Sequence, residues 1–241
     1  MILRKLARSI QEQNWFAVVL EITIVVVGIF VGLQVDSLNQ ERKDRALEQQ
    51  YLERLHRDAI AAVERQTSTH HWNEEHLRIQ TVVIEALRAR HLPPDQYDEF
   101  SAGLAHAGLF NPLIWQWGTV KELYSTGNIR LIRDLELRDL MSVTETHYKQ
   151  DAETIKASAE KIHMLWAQIA NRFDPVEYRF TPGDAAKVRF DFEALAADDE
   201  FVATFSNLHL NSKIIIQFAA SHLHYLRQFE AGIAKARGLN Q

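Results

Sequence analysis

The sequence contains no cysteine, and only 5 prolines and 9 glycines among its 241 residues. Without thiols there is no disulfide, no thiolate nucleophile and no thiolate metal ligand, and either side of a membrane stays open to the chain. Helix breakers are correspondingly sparse, and none occurs in residues 36–91. An excess of basic residues is missing too. The net charge is -5, with no basic stripe, which argues against nucleic acid as a partner. No P-loop, GxGxxG, HExxH or GxSxG motif is present. The expectation is a protein that is not an enzyme and carries no cofactor.

What is present is one long apolar run. Residues 15–35 read WFAVVLEITIVVVGIFVGLQV, with Glu21 as the only ionisable side chain. About 20 helical residues span the ~30 Å hydrocarbon core of a bilayer. Each Ile, Val, Leu or Phe favours insertion by roughly 0.3–0.6 kcal/mol, against on the order of 2.5–3.5 kcal/mol for a central acid, so insertion still wins. Arg4, Lys5 and Arg8 precede the run, but it is longer than a signal-peptide core and no A-x-A-like site follows. A retained signal anchor is expected. Arg42, Lys43 and Arg45 nearly balance the positive-inside count. The tie-break keeps the short basic tail in the cytoplasm and places the C-terminal domain in the periplasm.

Glu21, Val25, Gly28 and Gly32 share one stripe of this helix. Gly28 and Gly32 form a small-xxx-small motif, and an intramembrane acid normally faces protein. The stripe is therefore a candidate contact with a second copy or another membrane protein. The alternative is a passive anchor in the lipid bilayer.

Glu21-Ile22 through Gly32-Leu33-Gln34-Val35, followed by Asn39-Gln40-Glu41-Arg42, resembles the start of an uncharacterised bacterial family of single-pass membrane proteins. Members carry an Asn shortly after a Gly/Ala-Leu-Gln-Ile/Val turn, usually preceded by Trp; here Leu38 stands in that place. Glu122-Leu123-Tyr124-Ser125-Thr126-Gly127-Asn128-Ile129 and Asp191-Phe192-Glu193-Ala194-Leu195 are also similar to that family. The resemblance implies an inner-membrane anchor followed by a helical domain, and no activity.

The periodicity predicts an all-α fold: a transmembrane helix continuing into a stalk, then an antiparallel helical bundle. The expected segments are 1–14 (cytoplasmic tail), 15–35 (membrane helix), 36–91 (stalk and first bundle helices) and 92–241 (the rest of the bundle). Leu52, Leu55, Ala59 and Ala62 open an apolar seam, residues 67–71 suggest a break, and Val83, Ile84 and Leu87 resume the pattern. Pro93-Pro94 ends that helix, and a short helix is expected over 95–108, then a turn at Asn111-Pro112. Gly127 suits a helix C-terminus, and Asp134 an N-cap.

Two heptad seams follow. The first is Tyr148, Ala152, Ile155, Ala159, Ile162, Trp166, Ile169 and Phe173. The second, after an Asp198 cap, runs from Phe201 and Phe205 through Leu208, Ser212, Ile215 and Ala219 to His222, Leu226, Phe229 and Ile233. Between them, alternation at Tyr178/Phe180 and Val188/Phe190/Phe192 allows a small hairpin around Pro182-Gly183.

Candidate chemistry is thin. Glu53/His56 and Glu160/His163 have the Glu-x-x-His spacing of di-iron bundles but fall off the seams, so they read as solvated faces. His70, His71 and His76 cannot all converge from one helix, and no metal site is expected. His222 lies in a seam, either as a satisfied core histidine or as a pH-sensitive one. Trp115, Trp117, Leu123 and Tyr124 form an aromatic patch that is either core packing or a binding pocket.

Overall fold

A computed structural model describes residues 15–113, 117–177 and 187–239. The chain is all-α apart from one two-stranded ribbon among the described residues. It divides into two compact units, Met1–Gln50 and Tyr51–Gln241. That boundary falls within residues 36–91.

The first helix, α1, covers Trp15–Ala89. Its N-terminal stretch is long and apolar enough to cross a membrane by length and composition. In the first unit every side chain described from Val19 to Lys43 is exposed. Past the apolar run the helix surface is laced by i,i+4 pairs: Gln40 donates to Asp44 (2.8 Å), and Arg45 pairs with Glu41 (2.6 Å). Residues 1–14 lie outside the described residues.

The second unit is built on residues 51–89 of α1, on α4 (Leu135–Ile169) and on α6 (Asp199–Ala236). Asp134 accepts from Leu137 N–H (3.1 Å) to start α4, and Asp198 from Phe201 N–H (3.0 Å) to start α6. Both heptad seams are where the sequence puts them. Ile155, Ile162 and Ile169 of α4 face Phe201, Phe205 and Ile215 of α6 in one cluster with Val83 and Leu87 of α1. A second cluster joins Leu52, Leu55 and Ala59 to Leu137, Met141 and Phe229. Because Lys235 reaches Glu136 (2.7 Å) while Arg172 reaches Asp198 (3.4 Å), α4 and α6 are antiparallel. Arg88 and Ser206 meet at one end and His56 and Arg237 at the other, so residues 51–89 also oppose α6.

The expected break at residues 67–71 is absent: α1 is helical throughout. Ser68 and Thr67 return their hydroxyls to the carbonyls of Glu64 and Val63, so the polar run never leaves the helix. The seam also continues there, with Gln66, Thr69, Asn73 and Gln80 buried on the same 3-4 spacing. Arg90 takes a left-handed φ of 49°, and His91 N–H bonds Ala86 O (3.2 Å), ending the helix ahead of Pro93.

Smaller elements pack around this bundle. A 3-10 turn (Pro94–Gln96) leads into α2 (Tyr97–Ala105), shorter than expected, and residues 106–113 are irregular. Then come α3 (Gly118–Ser125), with Gly127 at φ 71° behind it, and a 3-10 turn at Asn128–Leu131. After a final 3-10 turn at Ala170–Arg172, β1 (Asp174–Glu177) pairs antiparallel with β2 (Lys187–Arg189). The ribbon begins earlier than the alternation suggests. Tyr178, Phe180 and Pro182-Gly183 lie outside the described residues, and Phe192 opens α5 (Phe192–Ala197) in place of a strand because Asp191 caps that helix. Ser101 of α2 both accepts from Val188 N–H (3.0 Å) and donates to Val188 O (3.3 Å), fixing β2 against the bundle.

Candidate functional site

On the first unit, the stripe through Glu21, Val25, Gly28 and Gly32 is exposed. A Cβ added at Gly28 or Gly32 would meet nothing within 4 Å, so the helix backbone is open to close approach along this face.

On the second unit, the buried polar seam of α1 serves the irregular residues 106–113. Buried backbone groups outside regular structure need partners. Asn73 supplies two: its Nδ2 donates to Asn111 O (3.1 Å) and its Oδ1 accepts from Asn111 N–H (2.9 Å). Gln80 Nε2 donates to Ala107 O (3.4 Å). His76 bonds Trp72 O through Nδ1 (2.9 Å), stacks on the Trp72 ring and lies 5.4 Å from the His106 ring. Burial lowers the pKa of both imidazoles. On its other side the segment touches α4. Gly108 leaves room for Trp166, whose Cγ would stand 2.9 Å from an added Cβ, and Phe110 lies against His163.

Between this segment and α4 runs a groove of about 310 Å³. Phe110, Pro112 and Leu113 form one wall, and Ala152, Ile155 and Ala159 the other. Tyr148, Lys156, Glu160 and His163 supply its polar groups. The size is at the lower end of small-molecule sites, roughly 300–1,000 Å³, and an apolar lining with few polar groups is their usual composition. Sequence reasoning missed it, because its two walls lie almost 40 residues or more apart in the chain; of its lining only the Glu160/His163 pair was weighed for chemistry.

The other candidates have structural places. His56 accepts from Arg237 (2.6 Å) and sits 3.6 Å from Glu230, while Glu53 is exposed. Among the described residues no group of three or more His, Asp or Glu side chains could hold a metal ion. His222 is fully buried, 5.3 Å from the Tyr148 ring, and burial lowers it to about 4. His209, which the sequence reading passed over, is also lowered to about 4, by burial and by Lys213 and Arg88. Trp117 stacks on Phe229 (4.6 Å) and Leu123 is fully buried, so this half of the aromatic patch is core; Trp115 lies outside the described residues. Tyr124 is exposed beside a shallow cavity of about 820 Å³ that Lys121 and Glu145 also line.

Glu122, Asn128 and Thr119 tie α3 and the turn after it to α1. Glu122 takes a forked bond from Arg54 (3.1 and 2.5 Å) and one from Tyr51 (3.1 Å), which hold its carboxyl below the usual range. Asn128 donates to Tyr51 Oη (2.9 Å). Asp58 accepts from Thr119 N–H (3.3 Å) and Oγ1 (2.6 Å) at the start of α3. Compared with known protein families, curated proteins and solved structures, the chain matches none.

Proposed function

We propose that this is a single-pass protein of a bacterial inner membrane, with a periplasmic helical domain, and that it works as a non-enzymatic interaction or accessory protein. Its partner is a second copy or another membrane protein, met through the N-terminal helix. The likeness to the uncharacterised single-pass family belongs to this reading. The observation that carries it is the apolar stretch of α1, exposed on all sides, with an open backbone at Gly28 and Gly32 in line with Glu21. An acid and two glycines on one face are poorly explained by lipid contact alone.

Crosslinking in native membranes tests it. Crosslinkers at Val25 should capture a neighbour and those at Ile29, about 100° around the helix, should not. Gly28→Ile and Gly32→Ile should abolish capture, because bulk separates the backbones. Equal capture at both positions, unaffected by Gly28→Ile, would leave the helix a passive anchor.

The groove between residues 110–113 and α4 favours a second reading: an extracytoplasmic sensor that binds a small ligand and acts through a partner membrane protein.

A further inference from the structure

Lys156 and Glu160 stand one turn apart on α4 at the edge of the apolar groove. Both are exposed, and neither makes an ion pair or hydrogen bond among the described residues. Eleven residues earlier the same helix shows the contrast: Glu145 and Lys149, also four apart, close to 2.7 Å. The order of charges accounts for the difference. Glu before Lys at i,i+4 is the favourable orientation on a helix, and Lys before Glu the poorer one. The groove therefore offers one uncommitted cation and one uncommitted anion within a turn of each other. The apolar space beside them, between Ile155 and Phe110, is also lined by Tyr148 and His163.

A carboxylate alone would meet Glu160, and an amine alone would meet Lys156. A molecule carrying both charged groups on one carbon satisfies each, with an apolar substituent in the groove. The volume of about 310 Å³ suits a molecule of metabolite size, not a lipid. We propose that the groove binds a free α-amino acid with an apolar side chain, its carboxylate on Lys156, its ammonium on Glu160, and its side chain between Phe110 and Ile155. The proposal rests on the sensor reading and names its ligand.

The test is calorimetry on the full chain in lipid nanodiscs, with L-phenylalanine and L-leucine as probes. 3-Phenylpropanoate lacks the ammonium and 2-phenylethylamine lacks the carboxylate. At least one amino acid should bind, and both single-charge analogues should bind at least tenfold more weakly. Lys156→Ala and Glu160→Ala should each cost about tenfold or more in affinity, as expected for charge-assisted hydrogen bonds, with unchanged melting and circular dichroism. Ala152→Phe, which fills the groove, should abolish binding; Lys149→Ala should leave it intact. An analogue that binds as tightly as its amino acid overturns the ligand class and leaves the groove a ligand site. Absence of binding by all four probes overturns the proposal and leaves the sensor reading, which names no ligand class, standing. Binding that survives Ala152→Phe in a folded protein places the ligand elsewhere and overturns it as well.

Discussion

At the scale of single residues, the buried histidines and Asp151 set how this domain responds to acid. His222 and His209 have folded-state values near 4, against 6.5 for the free side chain. The unfolded chain therefore takes up these protons below about pH 6.5, and the folded one only near pH 4. Stability is full above that window, falls as pH drops through it, and levels off below. At about 1.4 kcal/mol per pH unit, His222 accounts for roughly 3 kcal/mol at most. Asp151 works in the opposite direction: burial raises its carboxyl, against the effects of His147 and Ser221, so its neutral-pH cost is relieved as pH falls. We expect the urea midpoint to drop between pH 7.5 and 5, and His222→Leu to shrink that drop. A drop of the same size in His222→Leu as in the parent would show that burial does not hold this imidazole neutral.

At the scale of elements, α1 differs from α4 and α6 in what its seam carries. The two later helices have nearly unbroken apolar seams, and a 3-4 spacing of Ile, Phe and Leu is legible without a structure. The seam of α1 turns polar at Gln66, Thr69, Asn73 and Gln80, all buried. Polarity there looks like a solvated break, because the pattern records hydrophobicity and not partners. The partners are residues 106–113, which have little regular structure of their own and need those side chains. Asn73→Ala strands a backbone donor and an acceptor of Asn111 and should destabilise by about 1–3 kcal/mol. Gly103→Ala should cost a similar amount, since its Cβ would crowd Val83 and stand 2.8 Å from Ile79 O. Ser68→Ala, on the exposed face, should stay within about 0.5 kcal/mol in the same melts.

At the scale of the whole molecule, the apolar stretch of α1 and the helical bundle are separate compact units with separate chemistry. The first has an open glycine face and the second an apolar groove. The topological expectation ties the groove to the periplasm. A reporter fused after Gln241 that is active only outside the cytoplasm should therefore light up, and a reporter restricted to the cytoplasm should stay dark. The reverse pattern would put the bundle in the cytoplasm, and any ligand of the groove would then come from the cytoplasmic pool.

Sequence by itself determined the parts that depend on neighbours within a turn or two. These include the apolar run of residues 15–35, the Asp134 and Asp198 caps, the Gly127 terminus, and the seams of α4 and α6, including the burial of His222. Helical periodicity and capping are local, so they show in a single chain. Only the tertiary structure decided which side chains meet across distance: Asn73 with Asn111, Arg54 and Tyr51 with Glu122, Ser101 with Val188, and Phe110 with His163. The groove belongs to that second group. Its apolar walls look like ordinary core residues in sequence, and only the fold sets Phe110, Pro112 and Leu113 opposite Ala152, Ile155 and Ala159.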